Sequence, residues 1–157
     1  MSEQREIPEY AKPALYVGIL ILSVVAAIIT FTSDFGWWYN GSSYPDFAIY
    51  GVYVEWYGIF VLVILGLGFL YVAFIALQQL YPILKVSEDM NKKLELSGFL
   101  TSITLVCFTL IVMGIFIASV SEAYDWDLGT SFYTDLFGAL LSTLFFWLIR
   151  RINKPSK

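Results

Sequence analysis

Trp56 to Leu84 reads WYGIFVLVILGLGFLYVAFIALQQLYPIL, without one Asp, Glu, Lys, Arg or His. An α-helix crosses a ~30 Å hydrocarbon core with roughly 20 apolar residues, so this run can span a membrane with length left for tilt. Three more uncharged runs lie around it: Pro13 to Ser33, Leu96 to Ser121 and Leu136 to Ile149. The last is the shortest. To cross, it must start near Thr130 or Ser131 and carry Asp135 within its first turn or so, where a carboxylate suits the positive end of a helix. The chain is 59% apolar over 157 residues, with a mean hydropathy of +0.73. Ordinary soluble domains are nearer ~45–50%. The pattern predicts one integral membrane domain over residues 1–157, an all-α bundle of four transmembrane helices. The expected spans are about 13–32, 57–81, 96–120 and 131–149, with loops at 33–56, 82–95 and 121–130.

All nine Lys and Arg residues fall in alternate segments between these spans. Arg5 and Lys12 precede the first, Lys85, Lys92 and Lys93 lie between the second and third, and Arg150, Arg151, Lys154 and Lys157 follow the fourth. The other two loops carry Asp34, Asp46, Glu55, Glu122, Asp125 and Asp127, with Asp135 at the edge of the last span. Short basic segments resist translocation, so both termini and loop 82–95 are expected in the cytoplasm and the two acidic loops outside. With Glu3, Glu6, Glu9, Glu88, Asp89 and Glu95 included, the inner side sums to +3 and the outer side to -7. The first span exceeds the ~7–15-residue core of a secretory signal and is expected to remain as a helix.

The first outer loop is rich in aromatic residues and has no basic one. Trp37, Trp38 and Tyr39 precede Asn40-Gly41, and Tyr44 follows. Asn-Gly between β-favouring residues is a hairpin signal, because both turn residues accept positive φ. Phe47 to Val54 continues with strand-type side chains. A small aromatic β-hairpin cap on the outer face is one reading. The other is an irregular loop whose rings rest at the lipid headgroups, where Trp and Tyr collect. Tyr50, Tyr53, Trp56 and Trp126 also fall near the outer boundary, against Tyr10, Tyr81 and Trp147 near the inner one. In loop 82–95, Ser87 can cap a helix whose first turn holds Glu88 and Asp89. The four-apart pairs Glu88–Lys92 and Asp89–Lys93 then start the third helix in water, before Leu96.

Intramembrane charges usually mark ion paths, proton relays or ligand sites. Here the spans hold none except Asp135, which argues against an ion-coupled transporter and against an enzyme. Zero histidine removes the usual haem, copper and zinc ligands, and the single Cys107 rules out an internal disulfide or a dithiol redox site. Cys107 is expected to act as a small apolar core residue. Span hydroxyls such as Ser23, Thr30, Ser102, Thr109, Ser142 and Thr143 are expected to bond to backbone or to a neighbouring helix. Gln78 and Gln79 fall near the inner boundary, within reach of water. Glu122, Asp125, Asp127 and Asp135 could offer oxygen ligands to Ca²⁺ but lack a calcium-loop pattern, and solvated charge is the stronger reading. No cofactor and no nucleic-acid partner is expected.

The layout is similar in outline to that of the claudin and tetraspan group, without the outer-loop cysteines that mark those families. The expected function is non-catalytic: a small plasma-membrane, multi-pass protein acting through protein contact. It would serve as an accessory subunit of a membrane complex or as a self-associating surface protein. The residues expected to make contact are Trp37, Trp38, Tyr39, Tyr44, Tyr50, Tyr53, Trp56 and Trp126. The alternative is an oligomeric passive pore or small-solute carrier lined by hydroxyls.

Overall fold

The computed structural model describes residues 10–39, 46–48, 56–122 and 125–152. Four long helices carry the fold: α1 (Ala11–Thr32), α2 (Trp56–Leu80), α3 (Glu88–Val120) and α4 (Thr130–Ile152). Each is long and apolar enough to cross a membrane. Three short strands, β1 (Gly36–Tyr39), β2 (Asp46–Ala48) and β3 (Asp125–Leu128), close one end of the bundle.

The helix boundaries follow local chemistry. Ser87 caps α3 by accepting a hydrogen bond from the Met90 amide at 3.3 Å. Glu88–Lys92 and Asp89–Lys93 pair at 2.8 Å each along its first turns. Past α2, Pro82 cannot continue the helix. The Gln78 amide fixes the turn that follows, donating to the Leu84 carbonyl at 2.8 Å and accepting from the Leu84 amide at 2.9 Å. Gln78 is therefore fully buried, not at a wetted boundary. Its side chain replaces the backbone partners the turn has lost.

The helices run up and down around a square, α1 against α2 and α4, α3 against α4 and α2. Small residues let them approach. Gly66 faces the Phe31 ring of α1, Gly68 faces Leu105 of α3, and Gly98 faces Phe146 and Ile75. Gly138 sits against Ala26, where an added Cβ would come within 3.2 Å of the Ala26 Cβ. Ser23 and Ala27, four apart on α1, are both buried. By contrast Gly114 has open space beside it and marks no contact between helices. Phe60, Leu67, Ile111, Ile115 and Phe137 each expose more than half of their surface. An apolar exterior around an apolar core is the pattern of a bundle solvated by hydrocarbon. Cys107 belongs to that exterior; it is exposed, not a core residue.

The sheet has the order β2-β1-β3, with both pairings antiparallel. Strand β1 therefore pairs within its own loop and also with the segment between α3 and α4, for which the sequence pattern alone indicates no strand. The register puts Trp38 opposite Asp46. A two-residue Asn40-Gly41 turn would put Trp38 opposite Ser43, so the hairpin exists but its connection is longer. Pairing to β3 on the other side holds β1 in place, and β2 begins immediately after Pro45, which has no amide hydrogen for a ladder. Residues Ile49 to Val54, expected to extend the strand, lie outside the described residues.

Candidate functional site

Side chains directly opposite each other in an antiparallel pair lie on one face of the sheet. Trp38 pairs with Trp126 and Gly36 with Leu128, while Trp37 pairs with Asp127 and Tyr39 with Asp125. The first set faces the helices. Trp38 and Trp126 both meet the Phe116 ring edge-on, at 6.3 Å and 6.2 Å between centroids, and an added Cβ at Gly36 would strike that same ring. Phe35 and Phe132 extend the contact at 5.5 Å. The second set, Trp37, Tyr39, Asp125 and Asp127, forms the face directed away from the bundle. Its aromatics are half-buried and its two carboxylates exposed.

Of the residues the sequence singled out for contact, Trp38 and Trp126 thus anchor the cap to α3, and Trp37 and Tyr39 lie on the opposite face. Trp56 is the first residue of α2. Tyr44, Tyr50 and Tyr53 lie outside the described residues. The four carboxylates considered for Ca²⁺ do not converge, because Asp135 points into the bundle. Among the described residues no three His, Cys, Asp or Glu side chains gather.

The bundle interior is less silent than the uncharged runs implied. Asp135 is fully buried; it shares a hydrogen bond with the Thr30 hydroxyl at 2.7 Å, and the Ser131 hydroxyl donates to its other oxygen at 3.1 Å. Glu95, assigned to the inner loop by its charge, is instead a buried residue of α3 that accepts the Tyr16 hydroxyl at 2.6 Å. This bond spans the diagonal between α1 and α3. The helix continues through Glu95 because its cap, Ser87, is eight residues earlier, and the Tyr16 donor makes the burial tolerable.

A regular spacing underlies both pairs. Tyr16, Ser23 and Thr30 on α1, Glu95, Ser102 and Thr109 on α3, and Asp135 and Ser142 on α4 recur every seventh residue, and all are buried. Seven residues advance a helix by roughly 10.5 Å, so the bundle holds three polar layers about two turns apart. Tyr16 and Glu95 form one, Ser23, Ser102 and Ser142 the middle one, and Thr30, Thr109 and Asp135 the one nearest the sheet. Ser102 and Thr143 lie 3.0 Å apart in the middle layer. Apolar residues such as Ile19, Ala26, Leu105, Ala139 and Phe146 fill the intervals.

The two ends of the bundle carry opposite charge. Asp34, Glu122, Asp125 and Asp127 surround the sheet, and Lys12, Lys85, Lys92, Lys93, Arg150 and Arg151 surround the other end. That basic end contains a cleft of about 670 Å³ lined by residues of all four helices, including Lys12, Gln79, Lys92, Lys93, Glu95 and Arg150. Taken together, these features define a four-helix bundle of membrane-spanning proportions, capped by a sheet at its acidic end. Comparison of the chain with known protein families, with curated proteins and with solved structures finds no match.

Proposed function

We propose that the protein is a non-catalytic, multi-pass component of the cell membrane that works by holding another protein, or a second copy of itself, at its sheet-capped end. That end lies outside the cell and the basic end faces the cytoplasm, in line with the tendency of Lys and Arg to remain inside. One observation carries the reading. Strand β1 is tied to both outer loops and anchored through Phe116, so the opposite face presents Trp37 and Tyr39 on a fixed support beside Asp125 and Asp127. Rigid aromatic residues carry much of the energy of protein interfaces. The adjacent carboxylates favour a partner segment bearing Lys or Arg, which can also stack on the rings.

The interior favours this reading over a hydroxyl-lined pore. Inside the bundle Ser102 donates to its own helix at Phe99 O and Thr143 to Ala139 O, while Thr104 and Ser119, which bond back in the same way, lie on the exterior. Packed apolar residues such as Ile19, Ala26, Leu105 and Ala139 interrupt the polar layers. The test is affinity capture from mild detergent. Trp37→Ala with Tyr39→Ala should release the associated chain while the protein still inserts. Asp125→Asn with Asp127→Asn should weaken capture and remove its salt dependence. Undiminished association in both variants would reject the proposal.

A further inference from the structure

The cleft at the basic end has a composition that neither the bundle's packing nor the sheet face explains. Lys12 lies four residues before Tyr16, Lys92 three before Glu95, and Arg150 four after Phe146, whose ring meets Tyr16 edge-on at 6.4 Å. At a rise of about 1.5 Å per residue, three helices therefore place a cation at one level, about one turn beyond the buried Tyr16–Glu95 pair. From this convergence we propose that the cleft binds a phosphate-bearing anion. A phospholipid head group and free phosphate are the two sources of that chemistry, and only the first rests on the membrane reading given above.

Two of the cations, Lys12 and Arg150, rest against aromatic rings. Lys12 Nζ is 6.0 Å from the Tyr16 ring centre, and the Arg150 guanidinium is 5.5 Å from that of Phe99. Ring contacts of this kind hold the stems of long cationic side chains against the bundle. Lys92 and Lys93 pair with Glu88 and Asp89 on exposed helix surface. Such pairs are weak, so a phosphate group, which accepts several charge-assisted hydrogen bonds at once, competes with them effectively. Gln79 forms one wall, its amide donating to the Asn91 backbone and side-chain oxygens at 3.2 Å each. The cleft lining carries four cations, Lys12, Lys92, Lys93 and Arg150, against the carboxylates of Glu88 and Glu95, a balance of +2. Glu95 lines the cleft about one turn deeper than the cations and is buried. Basic pockets between helices at a cytoplasmic boundary are suited to lipid head groups.

The experiment uses the full chain in detergent, titrated by calorimetry with inorganic phosphate and, separately, with dioctanoyl phosphatidylglycerol. K12Q/R150Q should weaken binding roughly tenfold or more, whereas K85Q/R151Q, with the same charge change at the same end but outside the cleft, should alter it less than about twofold. K12R/R150K keeps both charges and should retain binding, which separates loss of the site from loss of the fold. Lipid binding without phosphate binding assigns the site to a head group; binding of both assigns it to the phosphate itself. No binding of either, or equal losses in the two Gln variants, overturns the proposal. Failure of the membrane reading is seen independently, as a chain that does not float with lipid vesicles although phosphate still binds.

Discussion

Two buried carboxylates set the residue-scale energetics, and they differ in how replaceable their partners are. Glu95 receives the Tyr16 hydroxyl across the bundle diagonal. Tyr16→Phe keeps the ring and removes that donor, so it should cost about 1–3 kcal/mol, the range for a buried polar group deprived of a partner. Reversible unfolding in mixed micelles measures this. Ser142 offers the opposite case, since its hydroxyl is buried without a hydrogen-bond partner. Ser142→Ala should therefore be neutral or stabilise by up to about 1 kcal/mol in the same assay. The ionisable side chains are legible in the sequence as residues but not as burial. A charge marks the end of an apolar run only where the helix also ends. Helix α3 begins at Glu88, so Glu95 lies two turns inside it, facing Tyr16. The signal that locates it is the seven-residue spacing of Glu95, Ser102 and Thr109, in step with Tyr16, Ser23 and Thr30.

At the scale of elements, the cap depends on the turn that carries the chain from β3 into α4. The Gly129 amide donates to Phe35 O at 2.8 Å and the Ser131 amide to Asp34 O at 3.0 Å, stitching the start of α4 to the end of α1. An added Cβ at Gly129 would overlap the Asp34 carbonyl, which is backbone and cannot rotate away. Gly129→Ala should destabilise the cap by about 1–3 kcal/mol, as overpacking does, and lower the protection of the β1 and β3 amides in hydrogen exchange. Gly114→Ala is the control: it meets nothing, and in a helix interior it should stabilise by roughly 0.5–1 kcal/mol. The helices are readable because four uncharged runs and the Ser87 cap are local features. The hairpin is readable as a pairing, through the aromatic residues that flank Asn40-Gly41. Its register and the third strand are not, because both depend on contact between loops far apart in sequence. Asp125-Trp126-Asp127-Leu128 does alternate charged and apolar residues, yet four residues are too few to separate a strand from a solvated loop. Only the Phe116 ring, which gathers Trp38 and Trp126, decides it.

For the whole molecule, charge asymmetry links fold to orientation. The sheet end holds Asp34, Glu122, Asp125 and Asp127, and the far end holds Lys12, Lys85, Lys92, Lys93, Arg150 and Arg151. If the chain is inserted as the distribution of Lys and Arg dictates, Asp125 and Lys92 lie in different compartments. This can be measured with single cysteines in a Cys107→Ser background. Cys107 faces the apolar exterior, where serine adds one hydroxyl that its own backbone can satisfy. Asp125→Cys should react with a membrane-impermeant maleimide applied to intact cells, and Lys92→Cys only after permeabilisation. Labelling of both from one side would separate the two proposals: the sheet face would keep its aromatic platform and the cleft its phosphate chemistry, but they could no longer serve opposite sides of one membrane. Opposite labelling would instead make them the two working ends of one bundle.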